Sequence, residues 1–109
     1  MATDASFAQF IQDQLDDLSD VVIKKMFGEY GVFLEGKMVA ILADNVFYLK
    51  PTSEVEVLLK EIMKAPPYTG AKDYFVIEQI EDKDYLCELV RTNANVLPLP
   101  KPKKPKSKT

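Results

Sequence analysis

The sequence predicts an α+β domain in which an antiparallel sheet, a three-stranded meander plus one later strand, is flanked by helices. Three observations carry that expectation. Apolar residues recur at helical spacing near both ends of the chain and again after Pro51; a stretch rich in Val, Ile, Phe and Tyr runs from Val22 to Lys50; and that stretch is broken only at the polar pairs Glu35-Gly36 and Asp44-Asn45. The expected order is helix-strand-strand-strand-helix-strand-helix. At 109 residues and 47% apolar, the chain can hold one compact core. Residues 1–97 are assigned to that single domain and residues 98–109 to a tail.

Phe7, Phe10, Ile11, Leu15 and Leu18 share a helical stripe, and Ser6 with Gln9 has the spacing of a capping box, so a helix is expected over 7–18. Three strands follow, near 24–34, 37–43 and 46–50. Gly36 supplies the left-handed backbone of the first turn, and Asp44-Asn45 tolerates it at the second. A two-residue turn at Asp44-Asn45 pairs Ala43 with Val46, Leu42 with Phe47, Ile41 with Tyr48 and Ala40 with Leu49. One face then carries Met38, Ala40, Leu42, Phe47 and Leu49, and the other Val39, Ile41, Ala43, Val46 and Tyr48. Both are apolar. A sheet wetted on one side alternates apolar with polar, so this one is expected to be covered on both faces, by helices or by a second subunit.

Beyond Pro51, Ser53 and Glu56 form a second capping box ahead of Val55, Leu58, Leu59, Ile62 and Met63, a five-position stripe that predicts a helix ended by Pro66-Pro67. Residues 73–79 read as a strand entered through Thr69-Gly70. Glu81, Asp82 and Asp84 favour the start of a last helix whose apolar face is Leu86, Leu89, Val90 and Leu97. Thr92, Asn93 and Asn95 are weak helix formers and predict a soft end. The alternating prolines from Pro98 onward exclude helix and sheet, and the tail is expected to be disordered.

Charge is distributed unevenly. The net charge is -3, but Lys101, Lys103, Lys104, Lys106 and Lys108 stand in the tail without an acid. Residues 1–100 therefore set nine of the 14 basic residues against all 17 acids and carry -8, while the tail carries +5. Such a body binds nucleic acid poorly, whereas the tail lysines are candidates for weak, salt-dependent, nonspecific contact with a polyanion.

Catalytic chemistry has little to work with. The chain has no histidine and one cysteine, Cys87, inside an apolar-periodic segment. The usual general base near neutral pH and the commonest metal ligand are missing, and no ordinary zinc site can be assembled within one chain. Neither a cofactor nor a metal is expected. Asp16-Asp17 and Glu81-Asp82-Asp84 lack the spacing of a calcium loop and read as helix-end charge. No run of 18 apolar residues and no secretory leader stand in the sequence, so the protein is read as non-membrane and cytoplasmic. Lys24, Lys25 and Tyr30 form a possible partner-contact patch.

The series Lys25-Met26-Phe27-Gly28-Glu29-Tyr30-Gly31-Val32, followed by Leu34, Gly36-Lys37-Met38, Ala40, Ala43-Asp44 and Tyr48-Leu49-Lys50, resembles the amino-terminal domain of the TfoX/Sxy competence-regulator family. The resemblance implies a small α+β domain of secretion-chaperone-like architecture, in which dimers recur. It marks Met26, Phe27, Gly28, Tyr30, Gly31 and Gly36 as structural motif residues, Gly28 and Gly31 being read as a bulge or close approach inside a strand. Glu29 stands where the family often has a second glycine, and the family's frequent tryptophan in the last helix is absent. The Lys/Pro tail stands where competence regulators carry a second domain. The expected function is that of a noncatalytic regulatory or protein-interaction module, with a protein partner or a second copy bound. The alternative is a nonspecific nucleic-acid binder acting through the tail in transcription or competence regulation. An enzyme or small-ligand carrier with a pocket between sheet and helices ranks last.

Overall fold

The computed structural model describes residues 3–26 and 28–97, and confirms an α+β domain with an antiparallel sheet. Its elements are α1 (Ala5–Gln14), β1 (Val21–Met26), β2 (Glu29–Leu34), β3 (Lys37–Ala43), β4 (Val46–Leu49), α2 (Ser53–Glu56), β5 (Lys64–Ala65), β6 (Tyr74–Ile77) and α3 (Lys83–Val96). The sheet has six strands in the order β1-β2-β3-β4-β6-β5. The lysine tail lies outside the described residues.

The meander has four strands because the expected strand over 24–34 folds back on itself. Met26 pairs with Glu29, and between them Gly28 takes φ +83°, a conformation that costs a side-chain-bearing residue about 1–2 kcal/mol. Gly28 is thus a hairpin-turn residue and not a bulge within a strand. The next two turns form as their residues dictate, with positive φ at Glu35-Gly36 and at Asp44-Asn45. The pairs Ala43 with Val46, Leu42 with Phe47, Ile41 with Tyr48 and Ala40 with Leu49 are all present.

A bulge on β3 changes which side chains share a face. Val32 pairs with Ala40 and Phe33 with Met38, leaving Val39 as the extra residue. Val39 therefore turns into the core with Ala40 and Leu42, while Met38 moves to the opposite face, the reverse of simple alternation.

The core lies between one sheet face and the helices. Val32, Leu34, Leu42, Phe47, Leu49 and Phe75 meet Ile11 of α1 and Leu15 just after it, Val55 of α2, and Leu86, Leu89 and Val90 of α3. Among the described residues, helices cover that face alone.

The helix boundaries are set by tertiary contacts. α1 starts at Ala5, with Asp4 as its first flanking residue; Ser6 lies inside the helix, which ends four residues earlier than its stripe suggests. α2 is a single turn, capped by the Thr52 hydroxyl, which accepts from the Val55 N–H at 3.2 Å, in place of Ser53. A continuing helix would direct the Lys60 N–H to Glu56. It donates instead to the Tyr85 hydroxyl at 2.9 Å, so the chain peels away and Lys64–Ala65 joins the sheet edge. α3 is capped by Asp82, whose carboxylate accepts from the Tyr85 N–H. Its far end is firm through Val96, because Asn93 is fully buried and its amide donates to Lys50 O (2.7 Å) and Val39 O (3.2 Å) and accepts from the Thr52 hydroxyl (2.8 Å).

Candidate functional site

The sheet face turned away from the helices is an extended apolar surface over which no helix lies among the described residues. Alternation along each strand and pairing across the strands build it. Val22 lies opposite Phe33, Phe33 opposite Met38, Ile41 opposite Tyr48, and Tyr48 opposite Val76. Ile41 and Ala43 are buried by these neighbours yet stand apart from the main core. Val22, at 48% exposure, and Tyr68, at 61%, remain open to solvent. Lys24 arches over the Phe33 ring with its ammonium 5.7 Å from the centroid.

Gly31 is the low point of this face. A Cβ there would lie 3.0 Å from Phe33 Cε1 and 3.3 Å from Met26 Cε, so the absent side chain lets both residues lie across the strand. Beside it, Met26, Glu29, Tyr30, Met38, Ile41 and Tyr68 surround a mostly apolar hollow of about 480 Å³. Tyr68 reaches it from the turn between β5 and β6, where Gly70 takes φ +89°. Burial, and secondarily Tyr68 nearby, pushes the Tyr74 hydroxyl above the ordinary tyrosine range.

Glu29 closes the end of the hollow and ties three segments together. Its Oε1 accepts from the Thr3 hydroxyl at 2.5 Å and from the Asp44 N–H at 3.2 Å. Thr3 is itself buried, donates its N–H to Gly28 O and accepts from the Asn45 N–H, while Asn45 accepts from the Asp4 N–H through its side chain. The segment ahead of α1, Thr3 and Asp4, is thus strapped across both hairpin turns. No short motif announces this contact in the sequence.

Of the candidate residues, Lys25 and Tyr30 are cross-strand partners on the helix side, whereas Lys24 projects to the opposite face, so the three do not form one patch. Tyr30 packs against the core and borders a small hollow under α1 with Ile23 and Ala8. Met26 lines the larger hollow, Gly28 and Gly36 occupy turns, and Phe27 lies outside the described residues, as do Lys101, Lys103, Lys104, Lys106 and Lys108. Cys87 is buried, its Sγ 3.3 Å from Gln14 O, and burial pushes its thiol up from the usual range. Of the two acidic clusters, Asp82 before α3 and Asp17 after α1 hold ordinary surface pairs, with Lys60 at 3.1 Å and with Lys83 at 3.6 Å. No helix among the described residues is long and apolar enough to cross a membrane.

Comparison with known proteins places this geometry. Residues 13–95 match the TfoX N-terminal domain. The chain belongs to that family. The TfoX N-terminal domain takes in β1 to β6 and nearly all of α3, and the motif from Lys25 to Val32 forms its first hairpin. A relative from Spirochaeta aurantia, an uncharacterised 12.7 kDa protein in the trpE 5′ region, is 42% identical over 110 residues, covering 100% of this chain and 96% of its own length.

Proposed function

We propose that this TfoX N-terminal domain is a noncatalytic interaction module that binds a second copy of itself through the open sheet face. The carrying observation is the asymmetry of cover: helices bury one side of the sheet, while Val22, Phe33, Met38, Tyr48 and Val76 form an apolar band on the other. A two-fold pairing buries the same band on both copies at once and gives each sheet its second cover. The absence of histidine and the burial of the single cysteine support a binding role over a catalytic one. On this reading the protein acts in the cytoplasm as a regulatory or adaptor element.

Light scattering of the full chain across a concentration series tests the reading. A mass approaching twice 12.3 kDa is expected, and a mass that stays at 12.3 kDa at high concentration refutes it.

A second reading is favoured by one sequence observation, the five unopposed lysines after Pro100. They would give weak DNA binding that falls steeply with salt. Equal affinity and salt slope for the full chain and for a chain ending at Leu97 would dispose of it.

A further inference from the structure

The hollow at the end of the open face combines an apolar wall with one fixed charge. Met26, Met38 and Ile41 supply adaptable aliphatic and thioether surface, and Tyr68 overhangs it from an exposed turn. Its volume of about 480 Å³ lies within the range of small-molecule sites. Glu29 is the only ionisable carboxylate in the lining. Two donors hold its Oε1, the Thr3 hydroxyl and the Asp44 N–H, so the carboxylate is oriented before any ligand arrives and Oε2 is left for one. Among the described residues Glu29 has no ion-pair partner, and the lysine of this face, Lys24, is drawn over Phe33.

We propose that this hollow binds a small organic cation with an apolar body, an alkyl- or arylalkyl-ammonium. The body lies against Met26, Met38 and Ile41, and the ammonium donates to Glu29 Oε2 at the rim. The Tyr68 ring covers the chain of the ligand and presents its π face to the cation. A carboxylate ligand of the same shape is repelled by Glu29, and a neutral one loses the charge-assisted hydrogen bond. The proposal goes beyond self-association: Met38 belongs to both surfaces, but the carboxylate and the rest of the lining stand at one end of the band and are supplied by one chain.

The test is a methyl NMR titration of the full chain labelled at its four methionines, with 4-phenylbutylamine, 4-phenylbutanol and 4-phenylbutyrate as matched probes. The amine is expected to shift the Met26 and Met38 methyls saturably, leaving Met63, which does not line the hollow, as an internal reference. It should bind about tenfold more tightly than the butyrate, with the alcohol between them. Glu29→Gln retains an oxygen acceptor for Thr3 and Asp44, and should lower amine affinity to that of the alcohol without changing the alcohol's own. Tyr68→Ala, in an exposed turn, should weaken the amine and the alcohol alike. Equal affinity for the three probes, a Glu29→Gln chain that binds the amine as wild type does, or a shift at Met63 as large as those at Met26 and Met38 would overturn the site. Repeating the titration on Val22→Glu, a position outside the lining, separates these readouts from self-association.

Discussion

A few side chains decide this structure by meeting polar needs that its apolar pattern leaves open. Asn93 is the clearest. Its amide serves two backbone carbonyls and one hydroxyl in a fully buried position, so Asn93→Ala should cost about 3 kcal/mol, read as a lower urea midpoint with unchanged slope. The residue types alone point the other way, since asparagine near a helix end reads as fraying. Asp82 has a different signature. Its hydrogen bond from the Tyr85 N–H, then its contact with Lys60, holds the carboxyl below the usual range. A folded pKa below the unfolded value stabilises the protein above the unfolded pKa, and that contribution disappears as pH falls through the folded value. Melting temperatures measured from pH 6 down to about pH 2 should therefore fall more steeply for wild type than for Asp82→Asn, which can still cap the helix. Cys87 follows the opposite sign: its raised pKa favours the neutral thiol, so its contribution holds below the unfolded thiol pKa and is lost as pH rises through the folded one. At pH 8 it should react with a thiol reagent only at the rate of unfolding.

Elements were legible in proportion to how far local chemistry controls them. The meander's last turn and its four cross-strand pairs follow from Asp44-Asn45 and alternation, and the structure has all four. The hairpin at Gly28 hides because Met26-Phe27-Gly28-Glu29 joins two strands of equal apolar character, so nothing in composition marks the reversal. The bulge at Val39 is equally silent, since both neighbouring faces are apolar and exchanging Met38 for Val39 leaves the pattern intact. The segment after Glu56 shows tertiary structure overriding propensity. A five-position apolar stripe is unwound because Tyr85 captures the Lys60 N–H and Val76 donates to Met63 O at 2.8 Å, while Val57 is left 81% exposed. Tyr85→Phe removes that acceptor; it should cost about 1–2 kcal/mol and speed hydrogen exchange at the Lys60 amide beyond the global change. Unchanged local exchange would show that another contact holds the segment out of the helix.

At the scale of the molecule, the two apolar faces of the sheet were visible in the sequence, but their unequal cover was not. Alternation reports that a face avoids water without reporting what shields it. The candidate hollow was less legible still, because Glu29, Thr3 and Tyr68 come from three distant segments joined only by the fold. The central claim is that the face bearing Val22 and Met38 pairs with its like in a second chain. Sedimentation equilibrium of wild type beside Val22→Glu, a substitution at a half-exposed edge-strand position, tests it most directly. The account predicts a dimer for wild type and a folded monomer for the variant. A wild-type monomer at every concentration, or a dimer unaffected by the new carboxylate, would contradict it.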